Sequence, residues 1–155
     1  MFLVLDNTVL SNFALTGRID LLQRLSAERI VTVEEAWNEW QAGIQRDRIP
    51  PADVTWLSVL TLNESEQKIR DELMPPLDLG EAACLALARS RGFALLTDDR
   101  VARREARRLG VPLSGTIGAL ISLMDDRLLT VAEANRLLQQ MISHGYRSPF
   151  QTLPN

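Results

Sequence analysis

The residues of this chain best suited to chemistry are carboxylates at the ends of short apolar runs. Asp6 follows "FLVL" (2–5), and the adjacent pair Asp98 and Asp99 follows "FALLT" (93–97). Glu81 stands in "LDLGEA" (77–82), and Glu39 lies between Trp37 and Trp40, with Glu34 and Glu35 one turn earlier. Side-by-side carboxylates repel unless a cation or an arginine compensates them. Three or four of them converging at one end of a sheet make an oxygen-rich site for a hard divalent cation such as Mg²⁺ or Mn²⁺. Such an ion can activate water and offset charge on a phosphodiester.

Every one of these acids also has a plain structural role open to it. Asp6 could cap the helix that follows it, and Asp98 or Asp99 could cap a helix starting at Arg100. Asp78 precedes Glu81 by three residues, the spacing of a capping box. Glu34, Glu35 and Glu39 could be solvated surface.

Arginines crowd behind the aspartate pair. Arg100, Arg104, Arg107 and Arg108 fall at i, i+4, i+7 and i+8, one face of a helix, with Arg103 at its flank and Val101, Ala102, Ala106 and Leu109 opposite. A solvated amphipathic helix accounts for this pattern. So does contact with a nucleic-acid backbone, which positions a polymer without reading its sequence.

Other chemistries are poorly served. His144 is the sole histidine, so a paired-histidine mechanism is excluded, and its place before Gly145 suits a helix end. Ser11 has no accompanying base. Cys84 is the sole cysteine, which rules out an internal disulfide or a cysteine-based zinc site. "LDNTVL" resembles the nucleophile loop of haloacid-dehalogenase-like phosphatases, yet Thr8 stands where a second aspartate is needed, and Lys68 is the only lysine. Trp37, Trp40 and Trp56 could stack bases, although the spacing of the first two suits a core or dimer surface.

Positioning the acids requires strands that end where they stand. "FLVL" (2–5), "RIVT" (29–32), "VTWLSVL" (54–60), "FALLT" (93–97) and "VPLS" (111–114) read as short buried strands, the third as a strand or extended edge. Helical spacing runs from Asn7, broken near Gly17, and recurs over 33–44, 63–73, "GEAACLALARSRG" to Gly92, "RVARREARRLG", 115–125 and 130–143. The tail "GYRSPFQTLPN" is irregular. Apolar strands alternating with helices predict an α/β fold of three layers, a short, mostly parallel sheet flanked by helices, in a single domain over 1–155. In such a sheet ligands bind beyond the carboxyl ends of the strands, where the strand order reverses.

Composition sets the outer limits. The 155 residues carry a formal net charge of −3, with 46% hydrophobic and 24% charged residues, so any polyanion site must be a local patch. Sixteen of the 17 basic residues are arginine, which forks onto phosphate and is also favoured by GC-rich genomes. Met1 runs directly into "FLVLD", without a leader, and no apolar run approaches a membrane span. The expectation is a cytoplasmic protein with no membrane association.

Taken together, "LDLGEAACLALA" (77–88), "TDDRVARREARRLGV" (97–111) and "SGTIGALISL" (114–123), with "LVLDNTVLSNFALTGRIDLL" (3–22) and "GYRSPF" (145–150), resemble the PIN domain of VapC-type toxin ribonucleases. The resemblance covers nearly the whole chain. It implies a metal-dependent endoribonuclease that cuts RNA by metal-activated water, using Asp6, Glu39, Glu81 and Asp99 as catalytic acids. It further implies metal binding by Asp6, Glu81, Asp98 and Asp99 with Mg²⁺ or Mn²⁺, and supporting polar roles for Asn7, Thr8 and Thr116. Arg100, Arg103, Arg104 and Arg107 become candidates for the RNA backbone. A small cognate antitoxin and a homodimer are the implied partners. Val33 replaces the family's usual proline before the second-acid helix, and Val101 replaces an extra acid after the aspartate pair. A catalytically weak PIN-fold module that binds RNA or a protein partner is the alternative.

Overall fold

The computed structural model describes residues 1–25 and 29–153. Five parallel strands form one sheet: β1 (Phe2–Leu5), β2 (Arg29–Val33), β3 (Ser58–Leu60), β4 (Ala94–Leu96) and β5 (Leu113–Ser114), in the order β3-β2-β1-β4-β5. Leu3 pairs with Ile30 on one side and with Ala94 on the other. Parallel strands need covered crossovers, which among the described residues run through α1 (Asn7–Leu15), α2 (Glu34–Gln45), α3 (Glu64–Glu72), α4 (Leu79–Arg91) and α5 (Arg100–Arg108); α6 (Thr116–Asp125) and α7 (Val131–Ser143) follow the last strand. A 3₁₀ turn at Ile19–Arg24 follows the break at Gly17.

Successive strand residues point to opposite faces, and the two cores follow from that alternation. Leu5 and Leu96 enter one core with Val9, Leu10 and Phe13 of α1, Leu120 and Leu123 of α6, and Leu138 and Met141 of α7. Val4, Val31 and Leu95 enter the other with Ala83, Leu87 and Ala88 of α4 and Ala102 and Ala106 of α5. Helix α4 buries residues all round, from Ala82 to Ala88, because α3 covers the side that the sheet does not. The expected three-layer α/β architecture is what forms.

Two strands are shorter than their sequence suggested. Of "VPLS" (111–114), only Leu113–Ser114 forms a strand, pairing with β4. Of "VTWLSVL", only Ser58–Leu60 pairs with β2. Asp53 bends the chain ahead of it, its Oδ1 accepting from the Thr55 amide at 3.1 Å and the Thr55 hydroxyl at 2.7 Å. Val54 and Leu57 are apolar because they plug a core from this turn, not because they alternate along a strand. Among the described residues no helix is long and apolar enough to cross a membrane.

Candidate functional site

The strand order reverses between β1 and β4, which lie side by side but are far apart in sequence. Asp6 leaves the end of β1 and Thr97-Asp98-Asp99 leave the end of β4, so both loops open into the switch-point crevice. Helices α1, α4 and α5 all begin there, pointing their N-terminal N–H groups at the same region. That partly offsets an accumulation of negative charge.

Asp6 holds the N-cap position of α1 yet makes no side-chain cap hydrogen bond. Its Oδ2 instead accepts from the Thr97 hydroxyl at 2.7 Å and the Thr8 hydroxyl at 3.2 Å. The Thr8 hydroxyl also accepts from the Asp98 amide at 2.9 Å, and the Thr97 hydroxyl from the Asp99 amide at 3.2 Å. Two threonines thus lock the β1–α1 and β4–α5 loops together around one carboxylate. Burial leaves Asp6 only 3% exposed and pushes its pKa up to about 6, against the lowering effect of those hydroxyls.

Glu81 and Asp78 form the capping box that their spacing suggested: Asp78 Oδ1 accepts from the Glu81 amide at 2.9 Å, and Glu81 Oε2 accepts from the Asp78 amide at 3.2 Å. Even so, Glu81 is pushed up to about 7, first by burial, with Asp78, Asp99 and Asp6 contributing repulsion. Glu39 reaches the same helix start from α2, its Oε1 accepting from the Gly80 amide at 3.0 Å. Its pKa is raised by burial and then by Asp78. Gly80 is there for space, since a Cβ would collide with the Glu39 carboxylate. Asn7 steadies Glu39 at 3.5 Å while holding the Ala36 carbonyl at 2.9 Å. The neighbouring glutamates face elsewhere: Glu35 pairs with Arg70 at 3.1 Å, and Glu34 is exposed.

The adjacent aspartates divide their work. Asp99 caps α5 through Oδ2, which accepts from the Ala102 amide at 2.8 Å. Asp98 has both oxygens engaged at the start of α6, Oδ1 with the Thr116 amide at 2.9 Å and Oδ2 with the Thr116 hydroxyl and with Asn12 Nδ2 at 3.0 Å. Thr116 is fully buried and so serves as an anchor for Asp98. Burial raises the Asp98 pKa, and Arg103 is among the groups that oppose the rise.

The arginines split as well. Arg103 Nη1 donates to the Thr97 carbonyl at 2.7 Å and the Ser114 carbonyl at 3.2 Å, fastening β4 to β5 from within. Its guanidinium is already committed, unlike those of Arg100, Arg104 and Arg107, which are exposed. Arg108 pairs with Glu105 at 2.7 Å.

The structure therefore gathers Asp6, Glu39, Glu81 and Asp99 at one crevice, with Asn7 and Thr8 bracing them. Asp78 is an acid the spacing marked only as a cap, although it raises the pKa of Asp6, Glu39 and Glu81 alike. Its signal was the same "LDLGEA" read for Glu81. Among the described residues no arginine or lysine lies within ion-pair distance of these five carboxylates. An all-oxygen donor set in which Asp6, Glu39 and Glu81 have raised pKa values, with no counter-cation among the described residues, fits a hard divalent ion. No three acidic, histidine or cysteine side chains among the described residues close into a ready-made cage. Mg²⁺ and Mn²⁺ keep several waters and do not require one.

Beside the acids lies a cleft of ≈ 580 Å³, bounded by Asn7, Thr8, Ser11, Asn12, Asp98, Asp99 and Arg100 on one side and by His144–Arg147 on the other. The second boundary comes from the irregular tail, where hydrophobic periodicity carries no signal.

A fold of this kind with an acidic crevice at the switch point defines a class: an α/β domain that brings carboxylates together at the carboxyl ends of parallel strands. The chain belongs to the PIN domain family, whose model matches residues 2–154. Its fold is similar to that of a PilT N-terminus domain protein from the archaeon Sulfolobus solfataricus, at 16% identity over 79% of this chain and 92% of that one, with a TM-score of 0.54. VapBC2 from Rickettsia felis, solved bound to a DNA fragment from its promoter, is similar at 13% identity over 74% of this chain and 98% of that one, with a TM-score of 0.51. No curated protein matches the sequence.

Proposed function

We propose that this PIN-domain protein is a divalent-metal-dependent endoribonuclease and the toxin of a toxin–antitoxin pair. One observation carries the reading: five carboxylates converge at the switch point with no basic side chain among the described residues at ion-pair distance, two of them pushed up to about 6 and about 7. Family membership and the likeness to a VapBC complex support it.

Asp6, Glu39, Glu81 and Asp99 would hold Mg²⁺ or Mn²⁺. When bound, the ion makes water a better nucleophile and offsets charge on the phosphodiester. The chain's own residues prepare that site. Thr8 and Thr97 fix one oxygen of Asp6, Gly80 leaves room for Glu39 and ties it to α4, and Asp99 is oriented by its cap. Burial strengthens every electrostatic interaction there. We assign Asp98 to holding the start of α6 and not to the metal, because both its oxygens are engaged. Arg100, Arg104 and Arg107 supply cations for the RNA backbone, and Arg103 serves the sheet.

A cognate antitoxin covering this crevice, and a homodimeric toxin, complete the proposal. The alternative, a binding module with weak or no cleavage, draws on Glu81 and Asp99 each making a cap hydrogen bond that a structural role would explain. Cleavage of mixed single-stranded RNA with Mn²⁺, with Mg²⁺ and with chelator separates the two. Metal-dependent cutting that disappears in the Asp6→Asn, Asp99→Asn double variant supports the nuclease. Neither cutting nor metal binding establishes the module.

A further inference from the structure

We propose that the turn after α7, His144–Arg147, is the substrate-gripping wall of this site, with Arg147 and Arg100 taking a backbone phosphate of single-stranded RNA beside the acidic ring. The proposal rests on the ribonuclease reading for its substrate and adds to it the element that binds that substrate.

The acidic ring cannot hold a polyanion unaided, so cations must stand at its edge. Arg100 and Arg147 both border the ≈ 580 Å³ cleft, and both are exposed. Neither side chain has a hydrogen bond or ion pair with the described residues, whereas Arg70, Arg91, Arg103 and Arg108 are all spent on internal partners. Two unspent guanidiniums on either side of one cleft match the fork that phosphate accepts.

The tail holds Arg147 in place from both sides. Gly145 turns the chain at φ +108°, a conformation that strains other residues, and the Tyr146 amide donates back to the Met141 carbonyl at 3.0 Å. The Tyr146 ring then packs on the core shared by α1, α6 and α7. Beyond it, Leu153 is 4% exposed, and its amide donates to Asn135 Oδ1 at 2.7 Å. A segment anchored at both ends presents its arginine with little ordering cost on binding.

Arg147 also borders a second cleft of ≈ 460 Å³, floored by Gly115, Ile117 and Gly118 and rimmed by Phe150, which is 49% exposed. The arginine therefore borders two clefts, each large enough for a base. Such a surface takes a strand whose bases splay to either side, and an exposed aromatic ring offers a stacking platform. A duplex keeps its bases paired and cannot enter both.

The test is RNA binding in chelator, which needs neither metal nor cleavage. Anisotropy of a labelled single-stranded oligoribonucleotide is followed across salt concentrations for wild type, Arg147→Ala, Arg147→Lys and the remote control Arg89→Ala. Arg147→Ala should weaken binding about tenfold and reduce the log–log salt slope by about 0.7, one single-strand phosphate contact. Arg147→Lys should keep the slope, and Arg89→Ala should match wild type. With Mn²⁺ present, Arg147→Ala should raise KM and leave kcat within about twofold. An unchanged slope, a loss confined to kcat, or equally tight binding of a duplex of the same sequence overturns the proposal. Arg147-dependent binding by a wild type that cuts with neither Mn²⁺ nor Mg²⁺ sinks the ribonuclease reading alone. Cutting with a KM indifferent to Arg147 sinks the wall alone.

Discussion

Asp6 and Glu66 are both buried carboxylates, 3% and 0% exposed, and the fold treats them in opposite ways. Glu66 receives Arg91 through two bonds, at 2.8 and 2.9 Å, and accepts the Asn63 amide at 2.9 Å as half of a capping box. The Arg91 hydrogen bond is the main reason its pKa is lowered. Asp6 receives only neutral donors, the Thr97 and Thr8 hydroxyls and the Asn7 amide, and burial raises its pKa to about 6. Burying a charge is costly unless it is paired. The chain supplies a charged partner for Glu66 and none for Asp6, which is the difference the proposed metal site requires.

The comparison breaks most sharply at Asp6. Asp6→Asn should reduce metal-dependent RNA cleavage by about 10³-fold or more, since one ligand and one charge go together. It should melt no lower than wild type in chelator, because a neutral amide costs less to bury than a carboxylate. A variant that unfolds would place Asp6 with Glu66 as a structural residue. Glu66→Ala should do the reverse, costing about 2–3 kcal/mol in denaturant unfolding by orphaning Arg91 and the Asn63 amide. Its cleavage should stay near wild type at temperatures where it is folded. A Glu66→Ala protein as stable as wild type would show that the pair contributes nothing net.

The pH dependence sharpens the contrast. An acid whose folded pKa lies above its unfolded value holds its proton longer in the native state. Its stability contribution is therefore lost as pH rises from the unfolded value through the folded one. For Asp6 that window runs from 3.8 to about 6, and Glu81 extends it from 4.5 to about 7. Metal-free protein should lose stability across this range, by at most about 3 kcal/mol from Asp6, and Mg²⁺ or Mn²⁺ should restore it. Glu66, with its lowered pKa, contributes stability that disappears only as pH falls through its folded value. Thermal melts in chelator from pH 4 to pH 8 check the sign. A curve rising from pH 5 to pH 7 would overturn the account of Asp6.

Much of this was legible in the sequence because apolar runs and caps are local. "FLVL" and "FALLT" set β1 and β4 within a residue, and the parallel sheet followed from strands alternating with helices. Asp78 and Glu81 announced their box by spacing. What stayed hidden depends on contacts remote in sequence. Nothing near Glu39 shows that Gly80, 41 residues on, makes room for it. Nothing near Arg103 shows that the Ser114 carbonyl waits for it. The 54–57 stretch misled because a turn plugging a core and a buried strand have the same composition.

The smallest effect expected is also the finest division within the site, that between Asp98 and Asp99. Asp99→Asn keeps a good N-cap for α5, so folding should hold while cleavage falls by about 10²-fold or more. Asp98→Asn leaves an oxygen to accept the Thr116 amide, and the Thr116 hydroxyl can rotate to accept from the new amide. Asn12 must flip its side-chain amide to avoid presenting a donor to a donor. Losing one charge-assisted bond is set against relief of a buried charge, so stability should move by about 1 kcal/mol or less. Gly115 leaves that repacking room, because the Asp98 carboxylate lies where its Cβ would be. Cleavage by Asp98→Asn should stay within about threefold of wild type. If it falls as far as Asp99→Asn, Asp98 belongs to the metal site, and the latch at α6 is the lesser of its two duties.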